Sequence, residues 1–329
     1  LGNFVAQLGW DPKEKRLFAE TGAKKGKMPF KLEAAVQRDA KGIRTVQFRG
    51  AGTTMIPGVP VVLKGDFGIQ VEKNQSGGVD VNLVYALLFP ELVSSDVVLT
   101  NARGVFDRAM AESVLGFMLS FAKGFTETFR AQAERRWNYR WTEQLMGREV
   151  LIVGVGSIGR EIARLLSAAG LKVQGVGRSA RSGDADFGII SAVSDLDQCL
   201  AQSDYVVAIP PLTPDTHGLF GAKQFASMKK TARFINLSRG EVVDESALVA
   251  ALETGEIAGA ALDVFQQEPL PEDSPLWSTP NLVVSPHMSG DYDTHQTTVA
   301  ELFLDNLDRY ARGDTLINTV DKVHGFVID

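Results

Sequence analysis

At 329 residues with 44% apolar composition, the chain is long enough for two domains with ordinary hydrophobic cores. A formal net charge of −6 and a pI near 5.4 give no overall positive field to draw it to nucleic acid or to an anionic membrane. The single cysteine, Cys199, excludes an intrachain disulfide, and the apolar run VNLVYALLF at Val81–Phe89 is far too short to span a bilayer. The stretch LGNFVAQLGW has no basic segment ahead of an apolar core, so no signal peptide and a cytoplasmic location are expected.

In chain order, the first part resists assignment. Stretches such as TGAKKGKMPFK and GAGTTMIPGVPVVLKGDFG are broken by Gly and Pro at turn-like intervals. The pattern sharpens after Asp96. VVLTN reads as a short strand, and Asp107–Phe129 carries apolar residues at three- and four-residue intervals, which predicts one long helix. Strands and helices then alternate. The strands are EVLIVG (149–154), LKVQGV (171–176), DYVVAI (204–209), RFINLS (233–238), AGAALDV (258–264) and NLVVSP (281–286). Helices such as SIGREIARLLSAAG and DESALVAALETG each end on a glycine suited to the position after the helix. A last amphipathic segment, DTHQTTVAELFLDNLDRYARG, precedes a short tail. Alternation of this kind predicts a parallel, doubly wound α/β sheet.

The first of these strands runs into Gly154-Val155-Gly156-Ser157-Ile158-Gly159, a G-x-G-x-x-G. The motif alone is weak; directly after an apolar strand and at the head of an amphipathic helix it points to a dinucleotide. Gly154 permits the tight turn, Gly156 lets backbone approach a pyrophosphate, and Gly159 lets helix and strand pack closely. The helix start at Ser157 and Ile158 offers N–H groups and partial positive charge to phosphate.

An NAD site usually places a carboxylate at the end of the second strand to bind the ribose. Here Ile162–Gly183 contains no Asp or Glu and offers Arg178, Ser179 and Arg181 instead. A guanidinium holds a phosphate through two charge-assisted hydrogen bonds, so this end suits a 2′-phosphate and hence NADP(H), with NAD(H) as the weaker ligand.

Ligands of open parallel sheets sit outside the carboxyl ends of the strands. Arg239, Asp263 and His287 all fall at such ends, and Glu268 is the natural partner of His287. A carboxylate beside an imidazole favours its protonated form, which is what reduction of a carbonyl needs from a proton donor. Arg239 suits the carboxylate of a 2-oxo acid. His217, His295 and His324 read as structural or solvent-facing, and no metal site is expected.

These segments together resemble the D-isomer-specific 2-hydroxyacid dehydrogenases. The matching stretches are LIVGVGSIGREIARLL, AIPPLTPDTHGLF, FINLSRGEVVDESALVAAL and GAALDVFQQEPLPEDSPLWSTPNLVVSPHMSG, spanning roughly Asn101 to Arg312. The resemblance implies a Rossmann nucleotide domain (101–290) inserted into a smaller, flavodoxin-like α/β substrate domain (1–100 plus 291–329). It places the family's catalytic Arg, Glu and His on Arg239, Glu268 and His287. It sets Asp263 near the nicotinamide, and Pro210, Pro211 and Thr216, in the loop with Leu212 and Thr213, beside the adenosine. SGGVD at Ser76–Asp80 resembles the glycine turn that binds the substrate carboxylate, through Gly78 and Val79. The helix from Asp107 and the arm RAQAERRWNYRW resemble the family's homodimer interface, with Trp137 or Trp141 as residues that could reach a neighbouring site. Glu268 stands where formate dehydrogenases have Gln. The missing acid and the arginines are most similar to NADPH-dependent glyoxylate/hydroxypyruvate reductases. The rival reading is a non-catalytic dinucleotide sensor of the same fold, similar to transcriptional corepressors, which can keep the triad.

Overall fold

The computed structural model describes residues 98–321 and 327, and ahead of them the backbone of six strands. The chain divides into two compact units, Leu1–Thr100 with Asp305–Asp329, and Asn101–Leu304.

In the first unit, β1 (Ala6–Asp11) and β2 (Arg16–Thr21) form an antiparallel pair. The strands β3 (Lys31–Arg38), β4 (Arg44–Ile56), β5 (Val59–Lys73) and β6 (Val79–Asn82) form an antiparallel sheet in chain order. A flavodoxin-like domain is built on parallel strands, and the described strands differ from that expectation. The connections explain it. Ile56 pairs with Val59 across Pro57-Gly58, whereas a parallel neighbour needs a crossover of a dozen or more residues. Within VVLTN, Thr100 forms an isolated bridge to Thr319.

The second unit holds an eight-stranded sheet. Its strands are β7 (Glu149–Val153), β8 (Lys172–Gly177), β9 (Arg181–Asp184), β10 (Gly188–Ala192), β11 (Tyr205–Ala208), β12 (Arg233–Asn236), β13 (Gly259–Leu262) and β14 (Leu282–Val284). They lie in the order β14-β13-β12-β11-β7-β8-β10-β9, parallel except for the β9–β10 pair. The order reverses between β7 and β11, and such a switch point opens a crevice at the carboxyl ends of its strands.

The sequence dictates this sheet through continuous apolar strands. Every residue of YVVA and GAAL is buried, as expected for strands covered on both faces. The helices α1 (Asp107–Lys123) and α3 (Ser157–Ala168) cover one face, where Val114, Met118, Ile162 and Leu166 pack on Ile152, Val207 and Ile235. On the other face α5 (Ala222–Ser227) and α6 (Glu245–Glu253) set Phe225, Leu248 and Leu252 against Val206 and Phe234. Each such large side chain contributes roughly 1.5–3 kcal/mol by burial.

The long helix expected over Asp107–Phe129 is two: α1 ends at Gly124, and α2 (Phe125–Ala133) follows. Gly124 has φ +61°, and the Arg140 guanidinium lies where a β-carbon would stand, 3.0 Å away, donating to the Gly124 and Thr128 oxygens. Positive φ at a residue without a side chain breaks the helix there. The short strands β9 and β10 carry no clear apolar pattern, since each contains a glycine at positive φ, Gly183 at +75° and Gly188 at +68°. The remaining helices are α4 (Leu196–Leu200) and α7 (His295–Arg312).

Gly159 gives the sharpest test of this packing. A β-carbon there would stand 2.0 Å from the Gly154 carbonyl oxygen, a backbone atom that cannot swing aside. We expect Gly159→Ala to cost about 1–3 kcal/mol or more in chemical denaturation, as overpacking does; unchanged stability would contradict the close helix–strand approach.

Candidate active site

The crevice is built first by glycine. Gly154 follows β7 with φ +115°, and a β-carbon on it would meet the Ile209 oxygen at 2.5 Å and the Pro210 nitrogen at 2.7 Å. The glycine turn and the loop after β11 therefore meet backbone to backbone. Gly156 is different: a β-carbon there would meet nothing within 4 Å. It is the N-cap of α3, and no side chain caps the helix there, which leaves the first amides of α3 as donors of the kind a diphosphate uses. Ile158 packs its side chain on the apolar face shared by α1 and α3, and the Ser157 hydroxyl donates to the Asp107 carboxylate at the start of α1. For phosphate these two residues offer backbone, not side chain.

Beyond β11, Pro210 is buried and Pro211 exposed. Thr216 closes the loop on itself, its hydroxyl accepting from the Thr213 amide (2.8 Å) and donating to the Pro211 carbonyl (2.6 Å). At the end of β8, Arg178, Ser179 and Arg181 are exposed, while the first carboxylates to follow, Asp184 and Asp186, are turned to Arg160.

The catalytic candidates stand on three successive strand ends. Asn236, the last residue of β12, is fully buried. Its Oδ1 accepts from the Ser238 amide (3.0 Å) and hydroxyl (2.7 Å), and its Nδ2 donates to the Arg239 carbonyl (3.0 Å). That knot turns the chain so that Arg239 is exposed. Gly240 follows because a β-carbon would sit 1.9 Å from the Phe265 carbonyl carbon. Asp263, one residue past β13, is 2% exposed. Its carboxylate accepts from the Ser285 hydroxyl and from the amides of Met288 (3.1 Å) and Ser289 (2.9 Å). Asp263 thus anchors the loop after β14, and Ser113 of α1 holds the same loop through the Ser289 carbonyl (3.1 Å).

That loop carries His287, a non-glycine residue at φ +51°. Its Nδ1 lies 2.6 Å from Glu268 Oε2, while Glu268 Oε1 accepts from the Phe265 amide (3.0 Å). The hydrogen bond to Glu268 raises the His287 pKa, against burial and the Arg239 charge, both of which lower it. Burial pushes Glu268 upward, but the bonds from His287 and the Phe265 amide, with the Arg239 charge, hold it below the ordinary carboxylate value. Arg239 therefore acts on both members of the pair. The imidazole is poised to carry a proton, with Nδ1 occupied and Nε2 left to deliver it.

Sequence reasoning missed Asn236, Ser285 and Ser113. Each is a polar residue with a local hydrogen-bonding role, and only Asn236, closing an apolar strand, carried a visible signal. Gly78 lies outside the described residues, as does His324, and Val79 opens β6, of which the backbone alone is described. His217 is exposed, and His295 binds the Tyr292 carbonyl through Nδ1 (2.6 Å). Trp137 and Trp141, in the arm after α2, are 95% and 92% exposed.

Two outcomes are expected. In Glu268→Gln the imidazole loses its anionic partner, so the His287 titration followed by NMR moves to lower pH; an unmoved titration would break the pairing. Asp263→Asn places an amide among buried donors and should cost roughly 1–3 kcal/mol in thermal or chemical unfolding. Full stability of that variant would remove the anchor.

Comparison with known proteins points to one family. The NAD binding domain of the D-isomer specific 2-hydroxyacid dehydrogenases matches residues 115–289. A glyoxylate reductase from Korarchaeum cryptofilum is 34% identical over 238 residues, covering 70% of this chain and 71% of its own. A glyoxylate/hydroxypyruvate reductase B from Citrobacter koseri is 40% identical over 242 residues, covering 70% and 72%. Among solved structures, a D-isomer specific 2-hydroxyacid dehydrogenase from Xanthobacter autotrophicus in complex with NADPH and MES is 36% identical, with a TM-score of 0.63 over 72% of this chain and 99% of that one. An NADPH-dependent glyoxylate/hydroxypyruvate reductase from Sinorhizobium meliloti, in complex with NADP and sulfate, is 30% identical, with a TM-score of 0.64 over 72% and 77%. The chain belongs to the D-isomer specific 2-hydroxyacid dehydrogenase family.

Proposed function

We propose that the protein reduces a small 2-oxo acid, such as glyoxylate or hydroxypyruvate, to the D-2-hydroxy acid with NADPH. The observation that carries this reading is the His287–Glu268 pair beside an exposed Arg239, at strand ends on the rim that also bears the glycine turn. Bound NADPH supplies the hydride. The chain's own residues do the rest. Arg239 holds the substrate carboxylate and draws electron density toward the carbonyl oxygen. His287 gives the Nε2 proton to that oxygen, and Glu268 keeps the ring oriented and the imidazolium stable. Gly78 and Val79 are assigned to the substrate carboxylate by the resemblance of their turn.

NADPH is favoured over NADH on the charge at the end of β8. Arg178, Ser179 and Arg181 are exposed there, and the adjoining carboxylates are occupied by Arg160. The similarity to glyoxylate and glyoxylate/hydroxypyruvate reductases, and to neighbours bound to NADPH or NADP, supports the same reading. The exposed Trp137 and Trp141 on the arm fit a homodimer contact.

Initial rates with NADPH and NADH, using glyoxylate, hydroxypyruvate and phenylpyruvate, test it. Turnover that prefers NADPH is expected. Removing Arg178 and Arg181 together should weaken NADPH relative to NADH by roughly 1.5–3 kcal/mol per charged hydrogen bond lost. Tight cofactor binding without turnover would favour the sensor instead.

A further inference from the structure

The outer edge of the sheet contains an ion network that the reaction does not use. Arg160, the residue after Gly159 on α3, donates Nη1 to Asp184 Oδ1 (2.9 Å) and to Asp186 Oδ2 (2.8 Å), and Nη2 to Asp184 Oδ2 (2.8 Å). Arg164, one helical turn on, donates Nε to Asp186 Oδ1 (2.8 Å). Asp184 ends β9 and its Oδ1 also accepts from the amides of Asp186 (3.1 Å) and Phe187 (3.3 Å), which shapes the β9–β10 turn. Its side chain is only 7% exposed. Arg181, at the other end of β9, approaches the same carboxylate less closely, Nε to Oδ2 at 3.6 Å, and its side chain is 44% exposed.

Two guanidinium groups thus compete for one nearly buried carboxylate, and the one on the helix has the shorter, forked bonds. A buried carboxylate left without a hydrogen-bonding cation is costly, so it takes whichever cation is available. We propose that Arg160 is a positioning residue for cofactor choice: by satisfying Asp184 it leaves Arg181 facing outward to bind the 2′-phosphate of a phosphorylated adenosine dinucleotide. This rests on the NADPH reading above. The same helix start then serves two groups of one ligand, its amides the diphosphate and its fourth residue, through Arg181, the 2′-phosphate.

Removing Arg160 leaves Asp184 with Arg181 as the nearest replacement. Arg181 is drawn inward to pair with Asp184, and its charge is withdrawn from the phosphate site. The test is calorimetric titration of the intact protein with 2′,5′-ADP and with 5′-AMP, which differ by the 2′-phosphate and require no turnover. Arg160→Leu should weaken 2′,5′-ADP by about tenfold or more, the loss of one charge-assisted hydrogen bond, and leave 5′-AMP unchanged. Adding Asp184→Asn to Arg160→Leu should restore 2′,5′-ADP, since nothing then competes for Arg181. Asp184→Asn alone keeps the turn's acceptor and Arg160, so it should retain wild-type binding; this variant carries the test if Arg160→Leu does not fold. Equal weakening of both ligands, unchanged 2′,5′-ADP binding in Arg160→Leu, no recovery in the double variant, or weakened 2′,5′-ADP binding in Asp184→Asn would each overturn the proposal. A wild-type protein that binds the two ligands equally would overturn the 2′-phosphate reading itself, and this inference with it.

Discussion

One buried carboxylate holds the catalytic rim together. Asp263 leaves β13 in the interior, where an anion is tolerated only if its oxygens are satisfied, and it accepts from a hydroxyl and two amides of the loop beyond β14. Those bonds fix a loop whose central residue, His287, sits at a positive φ that a side chain rarely adopts. Its neighbour on the sheet repeats the device with a neutral amide: Asn236 folds the chain after β12 and turns Arg239 outward. The two anchors are themselves joined, for the Asp263 amide donates to the Asn236 carbonyl at 3.0 Å. Strand ends and buried polar knots thus place Arg239 and His287, two side chains that are themselves exposed.

The charges at this rim are set against one another. Arg239 beside His287 would by itself make the imidazole harder to protonate; Glu268 reverses that, and in doing so remains ionised despite its partial burial. The outcome is an imidazole whose protonation is favoured although a guanidinium stands near it, which suits the reduction proposed above. The sheet's outer edge follows the opposite logic. There Arg160 and Arg164 cancel Asp184 and Asp186, leaving the end of β8 with a positive character that the amino-acid count alone would not reveal.

How much of this was legible in the sequence followed from how each part is stabilised. Central strands such as YVVA and GAAL are buried on both faces, so their apolar runs announce them, and the glycine turn is constrained so tightly by Ile209, Pro210 and its own helix that only glycine fits. Arg239, Glu268 and His287 stood out because ionisable residues at apolar strand ends are unusual. The short outer strands carry no such signal: the edge strand β9 is held by its antiparallel pairing with β10 and by Arg160, a residue of α3 distant in sequence. The break at Gly124 depended on Arg140, sixteen residues away, filling the place of a side chain. The polar anchors Asn236 and Ser285 look like ordinary turn residues until the partners they bind are seen. In the first unit, alternation was obscured by frequent glycine, and the short connections that resulted favour hairpins over crossovers.

The proposed reduction rests on proton delivery by His287 as a step separate from cofactor binding. Single-turnover oxidation of bound NADPH by glyoxylate, compared between the wild-type protein and His287→Ala, tests it most directly. The hydride step should slow by about 10²–10⁴-fold with NADPH affinity essentially unchanged. A variant that turns over at the wild-type rate, or that loses cofactor binding in proportion to turnover, would contradict it.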